Sequence, residues 1–434
     1  MVNKKRGLVL SATAVALTTV AVTGAGMHLS QSQAFFQESP KELVDEVWQI
    51  IDRQYVDATF NQVDWREIRN EYLNRQYTDK EEAYEAIREM LERLEDPYTR
   101  FMDPEEFENM RIDTSGELTG VGIQISQDEE TKQIVVVSPI EDTPAFEAGL
   151  TAQDIIIKID GKSTEGMNVN DVVQLIRGPV GSSVTLTVQR GEEVIDFPIE
   201  RARIEIHPVR ARVESTPAGE VGYIRLTQFS SNASEEMREA IKDLESKGVK
   251  SYVLDLRSNP GGLLYSSIDI ARMWLDNGKI VSTVNRQGQA DTKQANNRAL
   301  TNKPLVVLVD NGSASASEIL SGALQDNERA VLVGTKTFGK GLVQSVRGLG
   351  DGSGLAVTIA KYLTPSGRDI NKEGIVPDIL VELSEEQQKE LQRDRTQIGR
   401  VGDPQFDKAV EVLMKELATA QQDTENIEVN AVPQ

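Results

Sequence analysis

No cysteine occurs in the 434 residues, and only two histidines do, His28 and His207. The first absence excludes disulfides, thiolate-bound metals and cysteine nucleophiles, while leaving the compartment open. The second excludes a histidine-rich zinc or iron site. Positive charge is scarce as well: 47 Lys and Arg face 69 Asp and Glu, a formal charge of −22. Such a surface disfavours nucleic acid and anionic lipid, and no long basic run offsets it. No nucleic-acid partner is therefore expected. Hydrophobic residues make up 39 %, an ordinary share for a chain of two or three domains with a sizeable core.

The first 34 residues have the features of an export signal. Lys4, Lys5 and Arg6 precede an uncharged stretch over 7–26, and Ser32-Gln33-Ala34 resembles a small-x-small cleavage site. Cleavage after Ala34 would remove His28 and leave an exported protein with no integral membrane span. The one remaining histidine, His207, sits in Ile206-His207-Pro208 at an expected linker, a poor setting for a catalytic base.

Residues 37–112 read as a helical region. Val44, Val47, Trp48, Ile51 and Tyr55 recur at three/four spacing, as do Ala83, Ile87, Met90, Leu91 and Leu94. Asp79 can cap the second stretch and Asp96-Pro97 ends it, followed by a turn-rich exit through Asp103-Pro104. Residues 116–203 read as a compact module of short strands with helices at 143–150 and 169–176, closed by a strand over 184–190. From 205 to 385, strands and helices alternate, including a helix capped by Ser234. Such alternation predicts an α/β core with a largely parallel sheet, whose sites lie at the carboxyl ends of strands. A helical region over 386–420 and a disordered tail over 421–434 complete the chain.

Three polar clusters fall at strand ends: Asp255, Arg257 and Gly261; Ser313, Ser315 and Ser317; and Lys336 and Lys340. A nucleophile here must be Ser, Thr, Lys or a carboxylate, and a hydroxyl needs a base. Histidine being nearly absent, lysine is the strong base left, and it must be desolvated to be neutral. Lys340 has such a setting: Phe338, Leu342 and Val343 surround it, and no acidic residue lies between Arg329 and Leu349. These arguments choose neither among the three serines nor between the two lysines.

GSASASEI followed by GTKTFGKGLVQ resembles the signature of the carboxyl-terminal processing (tail-specific) serine peptidases, a family with a crotonase-like core. LDLRSNPGG matches a second family motif, and the likeness extends from LVDEVWQIIDRQYV through DPYTRFM to GIVPDI. The organisation is most similar to cyanobacterial and plastid members that process the D1 subunit of photosystem II. The resemblance implies Ser315 as nucleophile and Lys340, 25 residues on, as base. It implies Gln344, one helical turn further, as the residue orienting the lysine. Asp255, Arg257 and Glu318 would support the site, and the backbone N–H groups of Ala316 and of Gly261 or Gly262 would form the oxyanion hole. No metal or cofactor is implied.

Residues 116–203 resemble a PDZ domain through GVGI, TPAFEAGL and VVQLIRGPVGSSVTLTV. Backbone N–H groups of Val121, Gly122 and Ile123 would then hold the carboxylate of a protein C-terminal tail, which adds a strand beside Ile123–Ile125. Arg177 would link this module to the active site. The expected partners are protein C-termini, membrane-associated substrates among them, in a periplasm or thylakoid lumen. The competing readings are a non-catalytic PDZ scaffold and an acyl-CoA enzyme; an export signal argues against the latter.

Overall fold

The computed structural model of the chain describes residues 39–128, 131–140 and 142–430. The expected export signal at 1–34, His28 and the final residues 431–434 lie outside the described residues.

Helices α1 (Pro40–Gln54), α2 (Trp65–Leu73) and α3 (Lys80–Glu92) form the N-terminal region. Ser39 and Glu42 cap α1 reciprocally, and the Asp79 carboxylate accepts from the Glu82 N–H at the start of α3. The apolar stripes meet in one cluster that also takes Phe101, Leu355 and Val357. The exit from this region is more ordered than a turn. Arg100–Met102 forms strand β1, and α4 (Pro104–Ser115) follows at once. Asp103 caps α4 and Pro104 stands in its first turn, so the Asp-Pro pair starts a helix here.

The next module comprises β2 (Glu117–Gly120), β3 (Ile123–Gln127), β4 (Ile134–Pro139), α5 (Pro144–Glu147), β5 (Ile155–Ile159), β6 (Lys162–Ser163), α6 (Val169–Ile176), β7 (Ser183–Arg190), β8 (Glu193–Glu200) and β9 (Ala202–Glu205). The sheet runs β3-β4-β5-β7-β8, which leaves β3 at an edge beside α6. β7 does not close the module, as the sequence suggested. It forms a hairpin with β8, because Gly191 takes a positive φ between them.

The core contains β10 (Val209–Thr216), β11 (Gly219–Leu226), α7 (Ala233–Ser246), β12 (Ser251–Asp255), α8 (Leu264–Trp274), β13 (Lys279–Asn285), β14 (Ala290–Gln294), β15 (Leu305–Val309), α9 (Ala316–Asp326), β16 (Val331–Gly334), β17 (Leu342–Gly348), β18 (Gly354–Leu363) and β19 (Ile379–Leu380). The main sheet runs β10-β11-β12-β15-β16-β19 and is parallel from β11 onward. Every residue of β12 and β15 is buried, as the unbroken apolar run Leu305–Val309 requires. Leu254, Val307 and Leu332 pack with α7, α8 and α9 on one face. Val253, Val306 and Leu308 pack with Phe406, Ala409 and Leu413 on the other. These last belong to α11 (Pro404–Asn430), which follows α10 (Glu385–Arg393).

Four details differ from the sequence reading. The strand begun at Gly278 (β13) joins an antiparallel sheet with β14 and β18. Lys340 to Gln344 is not a helical turn: it enters β17, where Gln344 pairs with Thr358 of β18. The alternating Leu342, Val343 and Val346 suit that pleat. Helix α7 starts at Ala233, with Asn232 at its cap position instead of Ser234. Helix α11 continues past residue 420 to Asn430, through a polar but strongly helix-forming stretch. No helix among the described residues is long and apolar enough to cross a membrane.

Candidate active site

The loops after β12 and β15 are stitched together before either offers a functional group. Asp310 accepts from the Ser258 and Gly312 N–H groups at 2.8 and 2.9 Å. Ser313 Oγ donates to the Leu256 carbonyl and Ser317 Oγ to the Asn259 carbonyl. These two serines are fully buried packing groups. Between them Ser315 has φ 53° and ψ −111°, a backbone conformation that L residues rarely adopt and that costs about 1–3 kcal/mol. The Tyr362 hydroxyl donates to the Ser315 carbonyl at 3.2 Å and helps hold it there.

Glu318 connects Ser315 to Lys340. Its carboxylate is 0 % exposed and accepts four hydrogen bonds. Oε2 takes the backbone N–H groups of Ser315 and Lys340, both at 2.9 Å. Oε1 takes the Thr337 hydroxyl at 2.6 Å and the Gly339 N–H at 2.7 Å. Charge-assisted bonds of this kind are roughly twice as strong as neutral ones. One buried carboxylate thus fixes the backbone of Ser315 against that of Lys340 across 25 residues of sequence.

Both side chains open on one cavity of about 400 Å³. Gly262, Ala316, Gln344 and Tyr362 also line it, together with apolar walls from Met102, Met110, Leu263, Ile319, Leu342 and Val346. Burial holds the Lys340 amine below the usual lysine range; Arg100 adds to the depression, and Asp96 and Glu318 oppose it. Gln344 Nε2 is buried without a hydrogen-bond partner in this cavity. Lys336, by contrast, is exposed and lines a different and larger cleft of about 660 Å³ at the strand ends, with Arg225, Arg257 and Ser258. The structure therefore separates the two lysines, and among the three serines only Ser315 lines the smaller cavity.

Two parts of the expected site lie differently. The Gly261 N–H is not free: it donates to Asn259 Oδ1 at 2.9 Å. With φ 104°, Gly261 brings its backbone against the turn at Ser315; a Cβ there would fall 2.7 Å from the Ala314 carbonyl oxygen. The neighbouring Gly262 N–H donates to no acceptor among the described residues and, with Ala316, borders the cavity. Asp255 and Arg257 do not line the cavity. Arg257, 7 % exposed, is bidentate to Asp255 and reaches Asp403 Oδ2 at 2.8 Å at the start of α11. Tyr223 also donates to Asp255. Burial pushes the Asp255 carboxyl up, but the Arg257 guanidinium outweighs it and holds the group below the usual carboxylate range. His207 is exposed and bonded to Glu236, outside the cavity.

A third, smaller cavity of about 110 Å³ lies between β3 and α6, lined by Val121, Gly122, Ile123, Val173 and Arg177. Gly122 has φ 82°, and a Cβ would collide with Thr143. Pro139, opposite Ile123, has no N–H to offer, and the Ile140 N–H goes to the Gly122 carbonyl. Arg177 Nη1 donates to Asn109 Oδ1 of α4 at 2.7 Å, and Met110 and Thr114 of the same helix line the Ser315 cavity.

Sequence reasoning treated Tyr98 and Arg100 as a turn, yet both line the cavity. No local pattern brings residue 98 to residue 340. Asn259 and Tyr362 were missed for the same reason.

An α/β core with a cavity lined by Ser315 and Lys340, joined to a small module with a sheet edge at β3, is the arrangement to set against known proteins. The pattern of Peptidase family S41 matches residues 220–381, a PDZ domain matches 135–190, and the Tricorn protease C1 domain matches 36–92. A carboxyl-terminal-processing protease of Synechocystis sp. is 48 % identical over 372 residues, 85 % of this chain and 87 % of that protein. Carboxyl-terminal-processing peptidase 2, chloroplastic, of Arabidopsis thaliana is 43 % identical over 77 % of this chain and 67 % of its own length. A solved photosystem II D1 C-terminal processing protease superposes with a TM-score of 0.54 at 39 % identity, covering 79 % of this chain and 93 % of that one. The chain belongs to the carboxyl-terminal-processing proteases of peptidase family S41.

Proposed function

We propose that this protease cleaves protein tails with a Ser315/Lys340 dyad and is exported to do so. The observation that carries the reading is the Glu318 carboxylate, which bonds the backbone N–H groups of both residues, whose side chains line one cavity. Neutral Lys340 takes the Ser315 proton as Oγ attacks the scissile carbonyl. The oxyanion rests on the Ala316 and Gly262 N–H groups. Lys340 returns the proton to the leaving amine, and water then hydrolyses the acyl-enzyme. Gln344, which lines the same cavity, orients the amine.

The substrate's C-terminal carboxylate sits against the Val121–Ile123 turn, and its tail pairs with β3, the free edge. Arg177, bonded to Asn109 of α4, couples tail binding to the cavity wall that α4 supplies. In this reading the domains divide at 37–112, 116–203, 205–385 and 386–420. The basic and apolar character of residues 1–34 supports export, to a periplasm or a thylakoid lumen. The likeness to D1-processing enzymes favours the D1 precursor, a membrane-associated substrate.

Tail peptides with a free or an amidated C-terminus test the recognition step. Amidation removes charge-assisted hydrogen bonds and should weaken binding by tenfold or more, or about 1.5–3 kcal/mol. Equal binding and cleavage of the two forms would remove the carboxylate from the account.

A further inference from the structure

The segment Asp96–Arg100 comes from the N-terminal region, and its Pro97, Tyr98 and Arg100 line the Ser315 cavity. It is fastened to the strand opposite Gln344. The Asp96 carboxylate accepts from the Tyr98 N–H at 3.0 Å and from the hydroxyls of Thr99 and Thr358, both at 2.7 Å. The Thr358 N–H returns a bond to Thr99 Oγ1, and Thr358 is the cross-strand neighbour of Gln344.

So held, the Tyr98 ring lies beneath the Lys340 amine, with Nζ 4.8 Å from the ring centroid. Among the described residues Nζ makes no hydrogen bond and no ion pair, and the Tyr98 hydroxyl makes no hydrogen bond either. The ring face is thus the feature of Tyr98 that meets the lysine. An aromatic face attracts an ammonium through its quadrupole and has no such attraction for a neutral amine.

We infer that Tyr98 is a positioning residue for Lys340, whose ring holds the ammonium form at rest in the cavity and releases the neutral amine. The inference rests on the reading of Lys340 as the base and adds a state that precedes catalysis. It also accounts for a half-buried lysine with no partner oxygen among the described residues. The groups facing Nζ then divide into two sets. Burial and Arg100 favour the neutral amine; Asp96, Glu318 and the Tyr98 face favour the ammonium. Tyr362, also lining the cavity, is itself pushed far above its usual range by burial and stays neutral.

The test follows the Lys340 amine itself, by nitrogen NMR titration of full-length Ser315→Ala protein, and so does not depend on cleavage. Tyr98→Leu should lower the Lys340 midpoint by about half a pH unit or more, the shift that losing a cation–π contact produces. Tyr98→Phe should leave it near the unmodified value. If Tyr98→Leu does not fold, phenylalanines with increasing ring fluorination at position 98 keep the shape and drain the quadrupole, and the midpoint should fall stepwise. In otherwise unmodified protein, the rising limb of kcat/KM against pH should move with the midpoint. A midpoint unmoved by Tyr98→Leu or by fluorination, or lowered equally by Tyr98→Phe, overturns the inference. Loss of the rising limb alone, with the midpoints behaving as stated, would instead count against Lys340 as the base.

Discussion

Lys340→Ala should lower kcat/KM for tail cleavage by about 10³-fold or more, and Lys340→Arg should do no better. A positioned general base contributes roughly 10²–10⁴ in rate, and loss of a member of a catalytic unit removes most of what the unit supplies. Arginine keeps the positive charge and much of the bulk but cannot release its proton near neutral pH. The pair therefore separates a base from a mere cation. The unmodified enzyme should carry the corresponding pH signature. Burial holds Lys340 below the usual lysine range, and in the proposed dyad the neutral form is the active one. Activity should rise with pH along a limb centred below the ordinary lysine value of about 10.4. Steady-state kinetics on a tail peptide across pH checks both statements. Substantial cleavage by Lys340→Arg would reassign the base.

The second large effect is on stability. Arg257→Met should cost about 3–5 kcal/mol, because it strands two fully buried carboxylates, Asp255 and Asp403. Asp255 is a carboxyl whose folded pKa is depressed, so its contribution is present above its unfolded pKa and lost as pH falls through the folded one. The deficit of the variant should accordingly be greatest near neutral pH and shrink in acid. Combining Arg257→Met with Asp255→Asn and Asp403→Asn should recover part of the loss. Denaturant unfolding of the three proteins at two pH values measures this. Because Arg257 lies outside the Ser315 cavity, kcat of the folded fraction should change far less than stability. A selective loss of kcat would give Arg257 a direct part in the chemistry.

The fold was legible where one element carries its own signal. The three/four spacing over Val44–Tyr55 and Ala83–Leu94 marks α1 and α3, and the apolar run Leu305–Val309 marks a strand buried on both faces. What was not legible depends on partners distant in sequence. Asp103-Pro104 reads equally as a turn or as a cap with proline in the first helical turn; packing of α4 against β1 and β18 decides it. Lys340–Gln344 becomes a strand because β18 is there to pair with it. The Arg257 motif reads as support for the site, and the sequence does not show that Asp403 and Gln405 come to it from the start of α11.

The site divides in the same way. Counting histidines and cysteines left lysine as the strong base, but chemistry alone kept two lysines and three serines in play. Lys336 and Lys340 are four residues apart, yet they line different cavities, because Glu318 folds the Thr337–Lys340 loop back toward Ser315. Gly261 and Gly262 look alike in sequence. Asn259 occupies the first N–H, and no acceptor among the described residues takes the second. A side-chain amide two residues upstream thus changes which donor faces the cavity.

The most direct test of the dyad is the fate of a protein bearing an apolar C-terminal tail, followed by intact mass with the unmodified enzyme and with Ser315→Ala. The account predicts loss of the tail with the first, and with the second no truncated product but unchanged tail affinity. Truncation by Ser315→Ala at a rate near that of the unmodified enzyme would contradict it.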